Sequence, residues 1–238
     1  METISVALAG QKMMNARLID LTGSFEEGMW RYGPEFPSYG VREATSHEEN
    51  GFAVQALTIS THMGTHFDAP GHLIEGGHMA DTIPLERFVG PAALLRVGPV
   101  GPLEVVTAER LEACAAALRE GDIAVVETGW SKRWYEPNFV NETPYLSLDA
   151  AHWLIRRGIK CFAWDAPMFM DPRIDLGAHD QELPDAIILK AGIPMIAPLQ
   201  NLEEVRSPRF WFTGFPMKLK GADGSPTRCV AMEGIIDV

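Results

Sequence analysis

The sequence predicts an α/β fold in which a mixed, barrel-like sheet carries a few packed helices. Three observations lead there. Short apolar strand candidates outnumber helical segments, they do not alternate with helices as strict βαβ units, and 46% of the 238 residues are apolar, enough for the core of one compact domain spanning residues 1–238. No internal repeat, low-complexity tract or linker divides the chain.

Residues 17–21 read as the first strand. The stretch 22–39 is rich in Gly, Pro and aromatic residues and has no period, so it is a loop; its Trp30, Tyr32 and Phe36 can line a pocket for a flat ligand or pin the loop to the core. Residues 53–60 alternate apolar Leu57 and Ile59 with polar Thr58 and Ser60, the pattern of a half-buried strand. A strand over 92–97 precedes the clearest helix, 107–120, with Leu111, Cys114, Ala115 and Leu118 at i, i+3, i+4 and i+7 and Gly121 as its stop. Residues 123–126 form a short apolar strand that runs into a turn at Gly129. Ser147 then caps a helix over 148–157, whose final cations Arg156 and Arg157 suit the negative helix end before Gly158. A strand over 159–164 ends at Asp165. Asp185 caps a short helix to Lys190, and strands follow over 193–196, 210–215 and 228–232. The segment 221–226 has the Gly, Asp, Ser and Pro content of a turn joining the last two strands.

A formal net charge of −12 argues against nucleic acid or an anionic membrane as partner, because both need a basic footprint. No run approaches a membrane span and the first residues lack the basic start of a secretory signal, so a cytoplasmic protein is expected. Cys114, Cys161 and Cys229 are odd in number, far apart and set in apolar stretches. They read as buried thiols and not as a disulfide framework or a zinc site.

The chemistry concentrates in eleven residues. His62, His66 and Asp68, at relative positions 0, +4 and +6, can give three ligands to one divalent cation and leave positions open for water and substrate. Gly64 and Pro70 break any helix there, and Gly64 permits the tight turn that brings His66 and Asp68 back toward His62. Such a cation polarises a carbonyl and makes a bound water acidic, so hydrolysis of an amide or ester follows. His72 can move protons between nucleophile and leaving group, or serve as a fourth ligand. Thr65 can orient a ligand from outside or stabilise the turn. His47, His78 and His152 stand alone and suggest ordinary surface or packing roles.

The run from His62 to His72 resembles the signature of the cyclase family of metal-dependent hydrolases, which includes bacterial kynurenine formamidase and isatin hydrolase. The likeness extends to residues 19–22, 84–90, 128–130, Trp164 with Asp165, 193–202 and 224–226, nearly the whole chain. It implies His62, His66 and Asp68 as metal ligands, His72 as the catalytic acid/base, and Trp30 in the aromatic loop as a substrate contact, beside which the loop's own composition offers Phe36 as a second. It also implies a β/β/α domain around a small barrel-like sheet, assembled as a homodimer or higher homo-oligomer. In the formamidase branch a second metal is held by a His and a Glu; the matching positions here are Asp185 and Ala197. Since alanine ligates nothing, one metal ion is expected, manganese or zinc, with Asp185 or His179 left as outer-shell or substrate contacts. The expected reaction is cleavage of the C–N bond of a small aromatic amide or lactam. The alternatives are a lactone hydrolase, a metal-assisted lyase or cyclase in which His72 abstracts a carbon-bound proton, and a metal-holding binding protein without turnover.

Overall fold

The computed structural model describes residues 16–174 and 182–235. Its strands are β1 (Arg17–Asp20), β2 (Gly40–Thr45), β3 (Val54–Thr58), β4 (His66–Asp68), β5 (Val89–Arg96), β6 (Val105–Val106), β7 (Ile123–Glu127), β8 (Tyr145–Leu146), β9 (Cys161–Trp164), β10 (Met195–Ala197), β11 (Arg209–Pro216) and β12 (Gly224–Glu233). Seven of them close into a barrel in the order β4-β12-β11-β5-β7-β9-β10 and back to β4. β5, β7, β9 and β10 run parallel, and the remaining barrel pairings are antiparallel, so the sheet is mixed as its sequence predicts. β1 pairs with the second half of β12, whose first residues pair with β4.

Alternation along each strand sorts side chains to the two faces of this wall. Phe67, Ala92, Leu94, Ile123, Val125, Cys161, Ala163, Ile196, Phe210, Phe212, Cys229 and Ala231 form one buried cluster. Every barrel strand contributes to it, so it fills the interior. The neighbouring residues Ala93, Leu95, Ala124, Val126, Phe162, Trp164, Met195 and Ala197 face outward and pack beneath the helices α2 (Ala108–Cys114), α3 (Leu148–Arg156) and α4 (Pro184–Lys190). A shorter helix, α1 (His47–Asn50), lies between β2 and β3. No described helix is long and apolar enough to cross a membrane.

Several boundaries shift from those the sequence predicts. The helix expected over 107–120 ends at Cys114, because the Asp122 carboxylate accepts the Arg119 N–H at 2.7 Å and folds the following residues into turns that still bury Ala115 and Leu118. Asp122 also takes the Arg209 guanidinium, Nη2 to Oδ1 at 2.9 Å, and so ties that turn to β11. β3 is not half-buried. It pairs with β2 alone in an exposed ribbon, with Val54 and Leu57 open to solvent. Leu183, not Asp185, occupies the N-cap of α4, and Asp185 lies inside its first turn. β12 begins at Gly224, four residues before the expected start, so residues 224–226 belong to the barrel and the turn ends at Asp223.

Two loops over the outer face are fixed by Asp165 at the end of β9. Its carboxylate accepts from Thr128 N–H (2.8 Å), Thr128 Oγ1 (2.6 Å) and Gly129 N–H (2.8 Å). The three cysteines are free; Cys161 and Cys229 are buried and Cys114 is half-buried.

Candidate functional site

β4 is three residues long and carries two of the predicted ligands. Phe67 points into the barrel against Phe88, with ring centroids 5.1 Å apart, so alternation turns His66 and Asp68 outward together. His62 arrives from the preceding turn, where Gly64 adopts φ 57°. The His62 ring lies so close to the first residue of β12 that a Cβ on Gly224 would sit 2.7 Å from its Cε1. His72 follows on the short 3-10 turn Pro70–His72, and its ring lies 4.0 Å from that of His62.

These side chains form one connected cluster. His62 Nδ1 is 2.8 Å and His66 Nε2 is 3.3 Å from the same oxygen, Asp68 Oδ1. His66 Nδ1 donates to the Gly64 carbonyl at 2.8 Å. That bond puts a ring proton on Nδ1 and turns Nε2 toward the carboxylate oxygen, where either a proton on Nε2 or a cation between the two atoms joins them. Among the described residues, His62, Asp68 and His72 have donor atoms within 4.8 Å of one another, so His72 also lies within reach of a shared ion. Two or three imidazoles with a carboxylate fit zinc or manganese chemistry.

Asp223 is the member that sequence reasoning missed. Its Oδ2 lies 2.9 Å from His62 Nε2 and 3.4 Å from His72 Nδ1, so it bridges both rings from the turn before β12. Gly-Ala-Asp-Gly reads locally as turn chemistry, and nothing in the sequence signals that its carboxylate meets the histidines 151 and 161 residues away.

Electrostatics follow from this packing. Burial opposes charge on His62, but hydrogen bonding to Asp68 and attraction from both aspartates outweigh it and carry the imidazole up to about 9. Burial likewise works against an ionised Asp68, yet His66 and His62 hold its carboxyl well below the usual range. Burial holds His72 below its ordinary value, helped by His62 and opposed by Asp68 and Asp223.

The cluster opens into a cleft of about 190 Å³, walled by Tyr32, Phe36, Leu73 and residues 167–170, with Glu35 and Asp185 also on its lining. Tyr32 is oriented by donating its hydroxyl to the Pro167 carbonyl at 2.7 Å. Larger depressions lined by residues 28–34 with 134–141, and by Asp20 and Arg228, lack a comparable set of converging ligand groups among the described residues.

A family model described as "Putative cyclase" matches residues 19–169, well over half of the chain. The chain belongs to the cyclase family. It is 31% identical over 222 residues to a kynurenine formamidase of Bacillus cereus, covering 92% of this chain and 98% of that one. Among solved structures, isatin hydrolase A from Labrenzia aggregata superposes with a TM-score of 0.80 at 25% identity, covering 97% and 98% of the two chains. A predicted metal-dependent hydrolase from Bacillus stearothermophilus gives 0.73 at 27% identity, covering 92% and 98%.

On this cyclase-family frame the predicted residues separate. His62, His66, Asp68 and His72 come together, and Phe36 reaches the cleft. Trp30 does not: it stands one layer back, packed edge-on against Tyr32 and Trp134, while Tyr32 takes the wall. Thr65 is buried, and its hydroxyl accepts from Gly23 N–H (2.9 Å) and donates to the Pro198 carbonyl (2.7 Å), fastening the ligand turn to two other loops. Ala197 lies directly across from His66 in the β10–β4 register, so the position beside that histidine is filled by a methyl group. Asp185 lines the cleft, and burial pushes its carboxyl up to about 6. His179 lies outside the described residues.

Proposed function

We propose that the chain is a metal-dependent amidohydrolase that cleaves the C–N bond of a small aromatic amide or lactam. The observation that carries this reading is the convergence of His62, His66, Asp68 and His72 on the floor of an aromatic-walled cleft. The formamidase and isatin hydrolase named above support it, since both names denote hydrolysis of an aryl-bearing C–N bond.

His62, His66 and Asp68 would hold one divalent ion, manganese or zinc; the convergence of His62 Nδ1 and His66 Nε2 on Asp68 Oδ1 favours it, and Ala197 argues against a second ion beside His66. When bound, the ion supplies Lewis acidity toward the carbonyl and lowers the pKa of water. His72 takes the proton that water gives up as the new C–O bond forms and returns it to the nitrogen as the C–N bond breaks, leaving an amine and a carboxylic acid that then loses its own proton to solvent. Asp223 holds the His72 ring through Nδ1 while it does so. Tyr32 and Phe36 sandwich or edge-pack the aromatic group and keep bulk water away.

The whole chain acts as one domain in the cytoplasm, as a homodimer or higher homo-oligomer, with a small molecule as its other partner. Exposed Phe52, Val54 and Leu57 on the β2–β3 ribbon supply apolar area for a subunit contact. The decisive experiment measures metal content and turnover of formanilide and isatin in H218O. The reading requires stoichiometric metal, 18O in the carboxylate product, loss of metal from His66→Ala, and loss of turnover with metal retained in His72→Ala. Turnover without solvent oxygen in the product would replace it with a lyase.

A further inference from the structure

With His62 neutral as a metal ligand, the charged side chains among the cleft's described lining residues are carboxylates. Besides Asp68, the cleft is lined by Glu35 at the rim and by Asp185 deeper in, and no Lys or Arg is among its described lining residues. Asp185 is 8% exposed, and the described donors to its carboxylate are backbone N–H groups of its own helical turn, Ala186 at 2.9 Å foremost. As a lining residue with no described cation beside it, Asp185 can accept further hydrogen bonds from an occupant of the cleft. Glu35 makes no ion pair with a described residue, so no described cation offsets its charge at the cleft rim. With Asp223 beside the histidines, four carboxylates surround a site that one divalent ion would only half neutralise.

A substrate carboxylate entering such a cleft would lose hydration and find no guanidinium or ammonium to replace it. An aniline or lactam N–H, or an ammonium, would instead find acceptors in place. A like charge within about 6 Å, at an effective dielectric near 20, weakens binding roughly a hundredfold, and solvent at the rim reduces this toward tenfold.

We propose that the cleft selects uncharged and cationic aryl amides and rejects those bearing a carboxylate, with Glu35 and Asp185 as the specificity-determining residues. This rests on the proposed hydrolysis of aryl amides and narrows its substrate class.

Three probes test it on the full-length, metal-loaded protein: formanilide, 4-formamidophenylacetate and 4-(aminomethyl)formanilide. A methylene insulates each charge from the ring, so the reacting amides are electronically alike. The expected result is a kcat/KM for the acetate at least about tenfold below that of formanilide, carried mainly by KM, with the ammonium probe equal to or better than the neutral one. Glu35→Gln and Asp185→Asn should each narrow the ratio about threefold, and 500 mM salt should narrow it further. Glu35 is exposed, so its variant reads the effect even if Asp185→Asn unfolds. Calorimetric binding of the same probes separates the two ideas. If none is hydrolysed but the acetate still binds tenfold more weakly, the hydrolytic reading fails and the selection stands. An acetate probe within twofold of formanilide in both binding and turnover, or a ratio unmoved in both variants, overturns the selection.

Discussion

Replacing Thr65 with valine keeps the shape of the side chain and removes one hydroxyl. That hydroxyl serves two buried backbone groups, accepting from Gly23 N–H at 2.9 Å and donating to the Pro198 carbonyl at 2.7 Å. Thr65 is fully buried, so water cannot take its place. Each orphaned group costs about 1–3 kcal/mol, giving about 2–4 kcal/mol for the pair after partial relaxation. For a chain of this size that corresponds to a fall in Tm of roughly 5–15 °C. Thr65→Ser keeps both bonds and loses a methyl group, costing about 1 kcal/mol. Urea unfolding of metal-free protein, followed by Trp fluorescence, measures both variants. A Thr65→Val protein as stable as Thr65→Ser would refute the assignment of this hydroxyl to the backbone and return it to the metal's surroundings.

Burial pushes Asp165 up to about 6, against the hydrogen bonds from Thr128 and Gly129. A raised carboxyl contributes stability that is fully present below about pH 4 and lost as pH rises through 6. The wild-type unfolding free energy from urea titration should therefore fall across that window relative to Asp165→Asn, by at most about 3 kcal/mol; parallel pH profiles would contradict this. Asp122→Ala strands the buried Arg209 guanidinium and should destabilise by about 3–5 kcal/mol in thermal melts, with the largest loss of hydrogen-exchange protection around β11. Asp223→Asn, which weakens the hold on both His62 and His72, should lower divalent-metal affinity about 10–100-fold in a competition titration with a chelator; unchanged affinity would confine Asp223 to positioning His72. Manganese or zinc at a hundredfold its Kd should stabilise the protein by about 2.7 kcal/mol, and His66→Ala should abolish that gain.

How much of this was readable from the sequence depends on distance along the chain. His62, His66, Asp68 and His72 were legible because one short strand and two turns carry them, and their spacing alone sets their neighbours. Asp223 was not, because barrel closure brings it to the histidines and a turn residue gives no sign of what its side chain will meet. The C-terminal end of α2 falls short of its expected place because Ala115 and Leu118 keep a helical period while Asp122 captures the Arg119 amide. The alternation over 53–60 gave a strand correctly, but period two does not tell a core strand from a free-standing ribbon. Trp30 and Tyr32 were indistinguishable in the aromatic loop, since only the hydroxyl's bond to Pro167 decides which ring faces the cleft.

β12 pairs with β11, β1 and β4, and the residue just before it completes the histidine cluster. During synthesis the first four site residues emerge about 150 residues ahead of Asp223. Until β12 docks, the barrel has an open seam and the cluster lacks one carboxylate. The pairings that close it are among the most distant in sequence, the kind that form late because their loop entropy must be overcome first. An early ion captured by His62, His66 and Asp68 would therefore be held loosely and exchange freely. Tight capture becomes a report that the final strand has closed, which makes metal retention a direct readout of folding to completion.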